Sequence, residues 1–184
     1  MNILDIKEPI LIENILPFSE NLEILKHLST RDFKVQHEDN DAESKFKCAF
    51  VNNFKHVGFA LVTKDCSVLN LNTDPLDPLF LWARIITAIA TEKINASNFK
   101  RITRIHYNYY YKDQEGTGHI DNKNDNYISI LYNLHTTDGG TEILNKFYSD
   151  KIGQAKVFKS NWYHKGICVK NDKARSSLNI VLEY

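Results

Sequence analysis

From Ile102 onward the chain reads as a series of short strands, and this constrains its fold more than any other feature. Strand-like runs fall at 102–111, 127–134, 141–144, 154–159, 166–169 and 176–184, separated by polar or glycine-bearing turns such as Asp138-Gly139-Gly140. Upstream the character differs. Pro9 to Leu16 reads as a short apolar strand; past Pro17, Ser19 is placed to cap a helix with Leu22, Ile24, Leu25 and Leu28 on one face. Gln36 to Lys47 is polar and reads as loop, whereas Ala49–Val51 and Val57–Val62 suit strands. A second helix follows: Asp77 caps it, Pro78 fits its first turn, and Leu81, Ile85, Ile86, Ile89 and Ala90 form its apolar stripe. Helices first and many strands after predict an α+β, mainly β architecture: a β-sandwich or barrel with helices on one face.

At 184 residues, with no repeat or linker, one domain is expected over 1–184, with 1–100 as helical support and 101–184 as core strands. Lys+Arg and Asp+Glu both number 23, so no basic surplus points to nucleic acid as a partner. The first residues are charged too early for a secretory leader. No stretch approaches the roughly 20 apolar residues of a membrane span, the longest run being broken by Arg84. Cys48, Cys66 and Cys168 lie far apart without a CxxC pair, which argues against a disulfide framework or structural zinc and predicts a reducing cytoplasm. Nothing here fixes an oligomeric state.

Two His-x-Asp motifs occur, and with seven histidines and 23 carboxylates in 184 residues about one His-x-[Asp/Glu] arises by chance. His37-Glu38-Asp39 sits in the polar stretch and reads as solvated loop. His119-Ile120-Asp121 follows the aromatic run Tyr107 to Tyr111 and the flexible Gly116-Thr117-Gly118. Residues two apart in an extended chain share a face, so His119 and Asp121 can approach one metal. A mononuclear iron oxygenase needs two imidazoles and one carboxylate on a triangular face; His164, after the run Lys156 to Tyr163, is the candidate third ligand. The segment 175–184 alternates almost completely. Ser176, Leu178, Ile180, Leu182 and Tyr184 make one face, and Arg175, Ser177, Asn179, Val181 and Glu183 the other. Arg175 would open into a polar interior, where a guanidinium takes a carboxylate through two parallel hydrogen bonds and Ser177 adds a hydroxyl.

His119-x-Asp121, His164, then Arg175 with Ser177 resembles the 2-oxoglutarate/iron(II) dioxygenase superfamily, nearest its prolyl-hydroxylase-like branch. Ile12 to Pro17, Gly118 to Asn122, Leu131 to Leu134 with Gly139 to Glu142, and Phe158 to His164 resemble that family's successive segments. The resemblance implies a double-stranded β-helix, or jelly roll, with the metal at its open end. It implies iron(II), 2-oxoglutarate and O2, with ascorbate in support, hydroxylating an unactivated C–H bond while 2-oxoglutarate becomes succinate and CO2. It also implies a peptide or protein substrate, with a free amino acid, small metabolite or nucleobase as the alternative. Tyr109 matches a position lining the co-substrate pocket. Asn133 stands where the family often has tyrosine, so a contact to 2-oxoglutarate is missing there or is supplied by Tyr109. Val181 stands where the nucleic-acid-dealkylating branch carries a second arginine, which counts against base repair.

The plainer readings stay beside these. Tyr107, Tyr110 and Tyr111 suit strand packing, His106 and His135 surface or core, Trp162 burial near the distal turn, and Asp125 a loop. A metal-binding jelly-roll module without oxygenase activity would use the same scaffold. Substrate selection is expected on loops 36–47, 112–118 and 122–126.

Overall fold

The computed structural model describes residues 2–29, 34–36, 56–62, 76–112, 116, 118–167, 169–172 and 174–184. A 3-10 turn at Ile3–Asp5 precedes strand β1 (Ile10–Ile12), helix α1 (Phe18–Ser29), β2 (Lys34–Gln36), β3 (His56–Val62) and helix α2 (Pro78–Lys93). Then come β4 (Arg101–Tyr111), β5 (Tyr127–Asn133), β6 (Thr137–Ile143), β7 (Lys146–Asp150), β8 (Ala155–Lys159), β9 (His164–Ile167) and β10 (Ala174–Glu183). His37-Glu38-Asp39 and the run 49–51 lie outside the described residues.

Helix α2 begins as its sequence dictates: Asp77 Oδ1 accepts from Leu79 N–H at 2.9 Å, with Pro78 in the first turn. Its buried face is rotated from the expected stripe. Leu79, Ala83, Ile86 and Ala90 are buried, while Leu81 and Ile85 are 39% and 42% exposed. Two threonines explain the rotation. The hydroxyls of Thr87 and Thr91 donate back to Ala83 O and Thr87 O, both at 2.8 Å, so they join the contact face without an unmet polar group. Helix α1 starts at Phe18, which puts Ser19 inside its first turn rather than at the cap. Leu22 is exposed, and its place is taken by buried Asn21, whose Oδ1 accepts from Tyr132 Oη at 2.6 Å.

The strands form a seven-stranded sheet, order β1-β8-β5-β10-β4-β3-β2, and a three-stranded sheet, order β7-β6-β9. Neighbours are antiparallel throughout. This is the expected α+β jelly roll, with three differences. Residues 1–100, expected as helical support, also give strands to the large sheet: β1 and β3 in the runs expected as strands, and β2 outside them. Strand β7 falls between the expected runs 141–144 and 154–159. Asp138-Gly139-Gly140 lies within β6, at a register shift between Thr137 and Gly140, rather than in a turn. Glycine is needed there for close approach: a Cβ on Gly139 would sit 2.9 Å from Ile167 O and 3.3 Å from Arg175 Cδ.

One face of the large sheet carries Ile105 and Tyr107, Ile128, Ile130 and Tyr132, Val157, and Leu178, Ile180 and Leu182. These join the buried faces of α1 and α2 in a single apolar core. Each such aliphatic side chain contributes about 1.5–3 kcal/mol when fully buried. Tyr107 Oη, donating to Leu79 O at 2.7 Å, pins α2 to this face. The opposite face looks toward the small sheet. Leu131 and Phe158 meet Ile143 there in a smaller cluster, and the rest of that wall is polar.

Candidate metal centre

Register decides which side chains share the polar wall, because residues directly opposite in a ladder lie on the same face. Along β10 and β4 the pairs Arg175–Tyr110, Ser177–Asn108, Asn179–His106 and Val181–Arg104 line it. On β5, Asn133 pairs with Ser177 and Leu131 with Asn179. Arg175, Ser177 and Asn133 are therefore neighbours, each at most 2% exposed. Tyr109 is a correction. It pairs with Ser176, one step out of phase, and so lies on the helix-side face. The ring next to Arg175 is that of Tyr110, 5.0 Å from Cζ.

His119 and His164 form a reciprocal backbone pair, N–H to O at 2.9 Å in each direction, which extends the small sheet by one bridge. Asp121 N–H donates to Ser160 O at 2.8 Å. These bonds bring together the three predicted ligands: one ligand atom each from His119, Asp121 and His164 lies within 4.8 Å of the others. His119 Nε2 and His164 Nε2 are each 3.7 Å from a different oxygen of Asp121. Gly118 lets the segment in, since a Cβ there would lie 1.8 Å from Tyr163 Oη.

Asp121 is held from several sides. Ser129 Oγ donates to Oδ2 at 2.5 Å, Asn179 Nδ2 reaches both oxygens at 3.2 and 3.3 Å, and Arg104 Nη2 donates to Oδ1. Burial pushes this carboxyl up, but Arg104 and the two histidines outweigh it and hold it well below the usual range. Burial pushes His164 down, so its imidazole is neutral and able to donate a lone pair. Nδ1 lies 3.0 Å from Trp162 O; with the proton on Nδ1, Nε2 is left facing Asp121. Two imidazoles and one oriented carboxylate suit a divalent iron-type cation with open positions.

The remaining candidates fall elsewhere. Asp125 is exposed and accepts from Asn161 at 2.6 Å, holding a turn. His135 Nδ1 meets Ser176 Oγ at 3.0 Å. Sequence reasoning missed Lys156 and Asp150, both buried behind Arg175. Arg175 Nε lies 2.7 Å from Asp150 Oδ2, an ion-pair contact off the line of its N–H, and Nη2 donates to Oδ1 at 3.1 Å. Nη2 also donates to Thr141 Oγ1 at 3.2 Å, and Nη1 to Gly140 O at 2.5 Å and Ile167 O at 3.3 Å. Arg175 thus stitches β10 to all three strands of the small sheet.

No family model matches the chain and no curated protein matches it. Solved structures do. A 2OG-Fe(II) oxygenase family oxidoreductase from Burkholderia pseudomallei superposes with a TM-score of 0.67 at 14% identity, covering 96% of this chain and 84% of that one. A Trichoplax adhaerens prolyl hydroxylase, in complex with a hypoxia inducible factor oxygen degradation domain peptide fragment, gives 0.66 at 15%, covering 98% and 85%. The viral collagen prolyl hydroxylase of Paramecium Bursaria Chlorella virus-1, a 2OG complex, gives 0.66 at 13%, covering 98% and 99%. The fold is therefore that of the 2-oxoglutarate/iron(II) oxygenases, prolyl hydroxylases among them. Among the described residues no helix is long and apolar enough to cross a membrane.

Proposed function

We propose that this chain is an iron(II)- and 2-oxoglutarate-dependent oxygenase that hydroxylates an unactivated C–H bond. The observation that carries it is the convergence of His119, Asp121 and His164 on an oxygenase fold. Iron(II) held there supplies oxygen activation, so that C–H substrate, O2 and 2-oxoglutarate become alcohol, succinate and CO2. The chain's own part is geometric. His119 and His164 offer Nε2, and Ser129, Asn179 and Arg104 fix Asp121. The wall from Asn179 through Ser177 to Arg175 runs away from the metal end, about 13 Å between the outer Cα atoms at strand rise. Ser177, Asn133 and Arg175 are the residues for a co-substrate lying along it, with its distal carboxylate toward Arg175.

A prolyl-hydroxylase-like action on a peptide or protein is the substrate reading, supported by the peptide bound in the Trichoplax relative of this fold. A free amino acid or metabolite is its alternative. A cytoplasmic setting belongs to the same proposal, on the dispersed cysteines Cys48, Cys66 and Cys168. Purified protein with iron, ascorbate and 2-oxoglutarate should release succinate, and release should rise with the right member of a panel of proline peptides, amino acids and nucleosides.

One observation favours a second reading, a metal-binding module without oxygenase activity: the four Nη N–H bonds of Arg175 already have acceptors within the protein. Absence of succinate, together with absence of a visible metal-to-ligand band on anaerobic addition of iron and 2-oxoglutarate, would select it.

A further inference from the structure

Asp150 lies between two cations. Its Oδ2 is 2.7 Å from Arg175 Nε, and its Oδ1 accepts from Arg175 Nη2 and from Lys156 Nζ, both at 3.1 Å. The three side chains are at most 3% exposed. Lys156 has one further acceptor, Asn133 Oδ1 at 3.1 Å, against the three N–H bonds of an ammonium. Asn133 Nδ2 is itself a buried donor with no acceptor among the described residues. Two cations face one carboxylate, so the cluster holds one positive charge in excess. Buried charge is costly unless it is paired, and burial pushes the Lys156 ammonium pKa down in keeping with that cost. The unmet partner has the chemistry of a second carboxylate.

We propose that Asp150 is an internal competitor for the distal carboxylate of the co-substrate, leaving Arg175 and remaining on Lys156 when that carboxylate binds. This rests on the reading of 2-oxoglutarate as co-substrate. As the structure stands, the four Nη N–H bonds of Arg175 are taken and its Nε faces Asp150 Oδ2. Asp150 is the acceptor that can withdraw without being stranded, because Oδ1 already touches Lys156. Of the others, Gly140 O and Ile167 O are backbone fixed in strands, and Thr141 Oγ1 is a neutral hydroxyl that carries no charge to exchange for a carboxylate. After the exchange two cations face two carboxylates, and the excess charge is gone. Lys156 is then a positioning residue that parks Asp150, and Asp150 sets the affinity.

The test is calorimetry on the full chain loaded with nickel(II), titrated with 2-oxoglutarate and with 2-oxopentanoate, which has the same chain length but no distal carboxylate. Asp150→Asn should bind 2-oxoglutarate about tenfold tighter and Lys156→Met about tenfold weaker. Both should bind 2-oxopentanoate as the unaltered protein does. Asp150→Asn leaves two buried cations unbalanced, so its melting temperature should fall and 2-oxoglutarate should restore it. Lys156→Met leaves a neutral Asp150–Arg175 pair and should fold, so it decides the matter should Asp150→Asn fail to fold. Weaker 2-oxoglutarate binding in Asp150→Asn, or unchanged binding in Lys156→Met, overturns the proposal and leaves the oxygenase reading standing. If the unaltered nickel protein binds neither acid, the oxygenase reading fails and the proposal falls with it.

Discussion

Arg104 donates to Asp121 from directly across the ladder at Val181, setting a cation on the only carboxylate of the His119–Asp121–His164 set. Val181 is six residues after Arg175, where the nucleic-acid-dealkylating branch carries a second arginine. The strand that pairs with it supplies one instead.

A cation on that carboxylate both orients it and repels a metal. Orientation is also secured by Ser129 and Asn179, so repulsion should dominate. Arg104→Met is expected to bind a divalent cation about tenfold tighter, whereas Ser129→Ala should bind it about tenfold weaker by loosening the carboxylate. Competition titration against a metallochromic dye measures both.

His164→Ala should abolish stoichiometric metal binding, since no other histidine of the described residues joins the cluster. His37→Ala, in the chain's other His-x-Asp motif, should leave stoichiometry at one. Metal analysis after desalting distinguishes them, and equal loss in both would refute the assignment.

The buried cluster behind Arg175 should dominate stability. Asp150→Ala leaves two cations unpaired and should cost about 3–5 kcal/mol. Lys156→Met, close in volume, should change stability little, because an apolar side chain replaces a buried charge whose partner keeps Arg175. Urea denaturation followed by circular dichroism gives both values.

Gly118→Ala places a methyl against the Tyr163 ring, and Tyr163 adjoins His164. Metal affinity should fall in Gly118→Ala and recover in Gly118→Ala/Tyr163→Ala, since Tyr163 is 53% exposed and its removal opens space at little packing cost. No recovery would mean that the backbone itself cannot accept a side chain there.

Asp138 accepts backbone N–H bonds from Lys170 and Asn171, and these hold its carboxyl below the ordinary 3.8. A lowered folded value means stability present above the unfolded value and lost as pH falls through the folded one. Asp138→Asn should therefore melt lower than the unaltered protein at neutral pH, with the gap narrowing below about pH 4. A gap that does not vary with pH would show that the charge is irrelevant.

The legible parts of the sequence were those where local pattern and tertiary role coincide. The alternation of β10 placed Leu178 and Ile180 in the helix-side core and Arg175, Ser177 and Asn179 on the polar wall. Four tyrosines in β4 carry no polarity contrast, so the phase of Tyr109 against Tyr110 is set by pairing with β10, which no local window contains. Glycines 139 and 140 read as breakers, yet Gly139 is there to admit the Arg175 side chain. Lys146-Phe147-Tyr148-Ser149-Asp150 is too mixed to announce a strand. Lys156 and Asp150 carry no local sign of burial, because a charge is buried only when its partners, distant in sequence, arrive with it.

Strand β10 lies between β4 and β5 in the large sheet, and this bears on the order of assembly. Both neighbours precede it in the chain, so neither has its inner partner until residues 174–183 have been synthesised. Until then β4 and β5 carry unpaired edges, the arrangement that invites association with other chains. Closure of the sheet and its stitching by Arg175 should fall in one late, cooperative step. The metal set is framed by Asn179 of that same strand, so metal capture is expected to report the end of folding rather than its course.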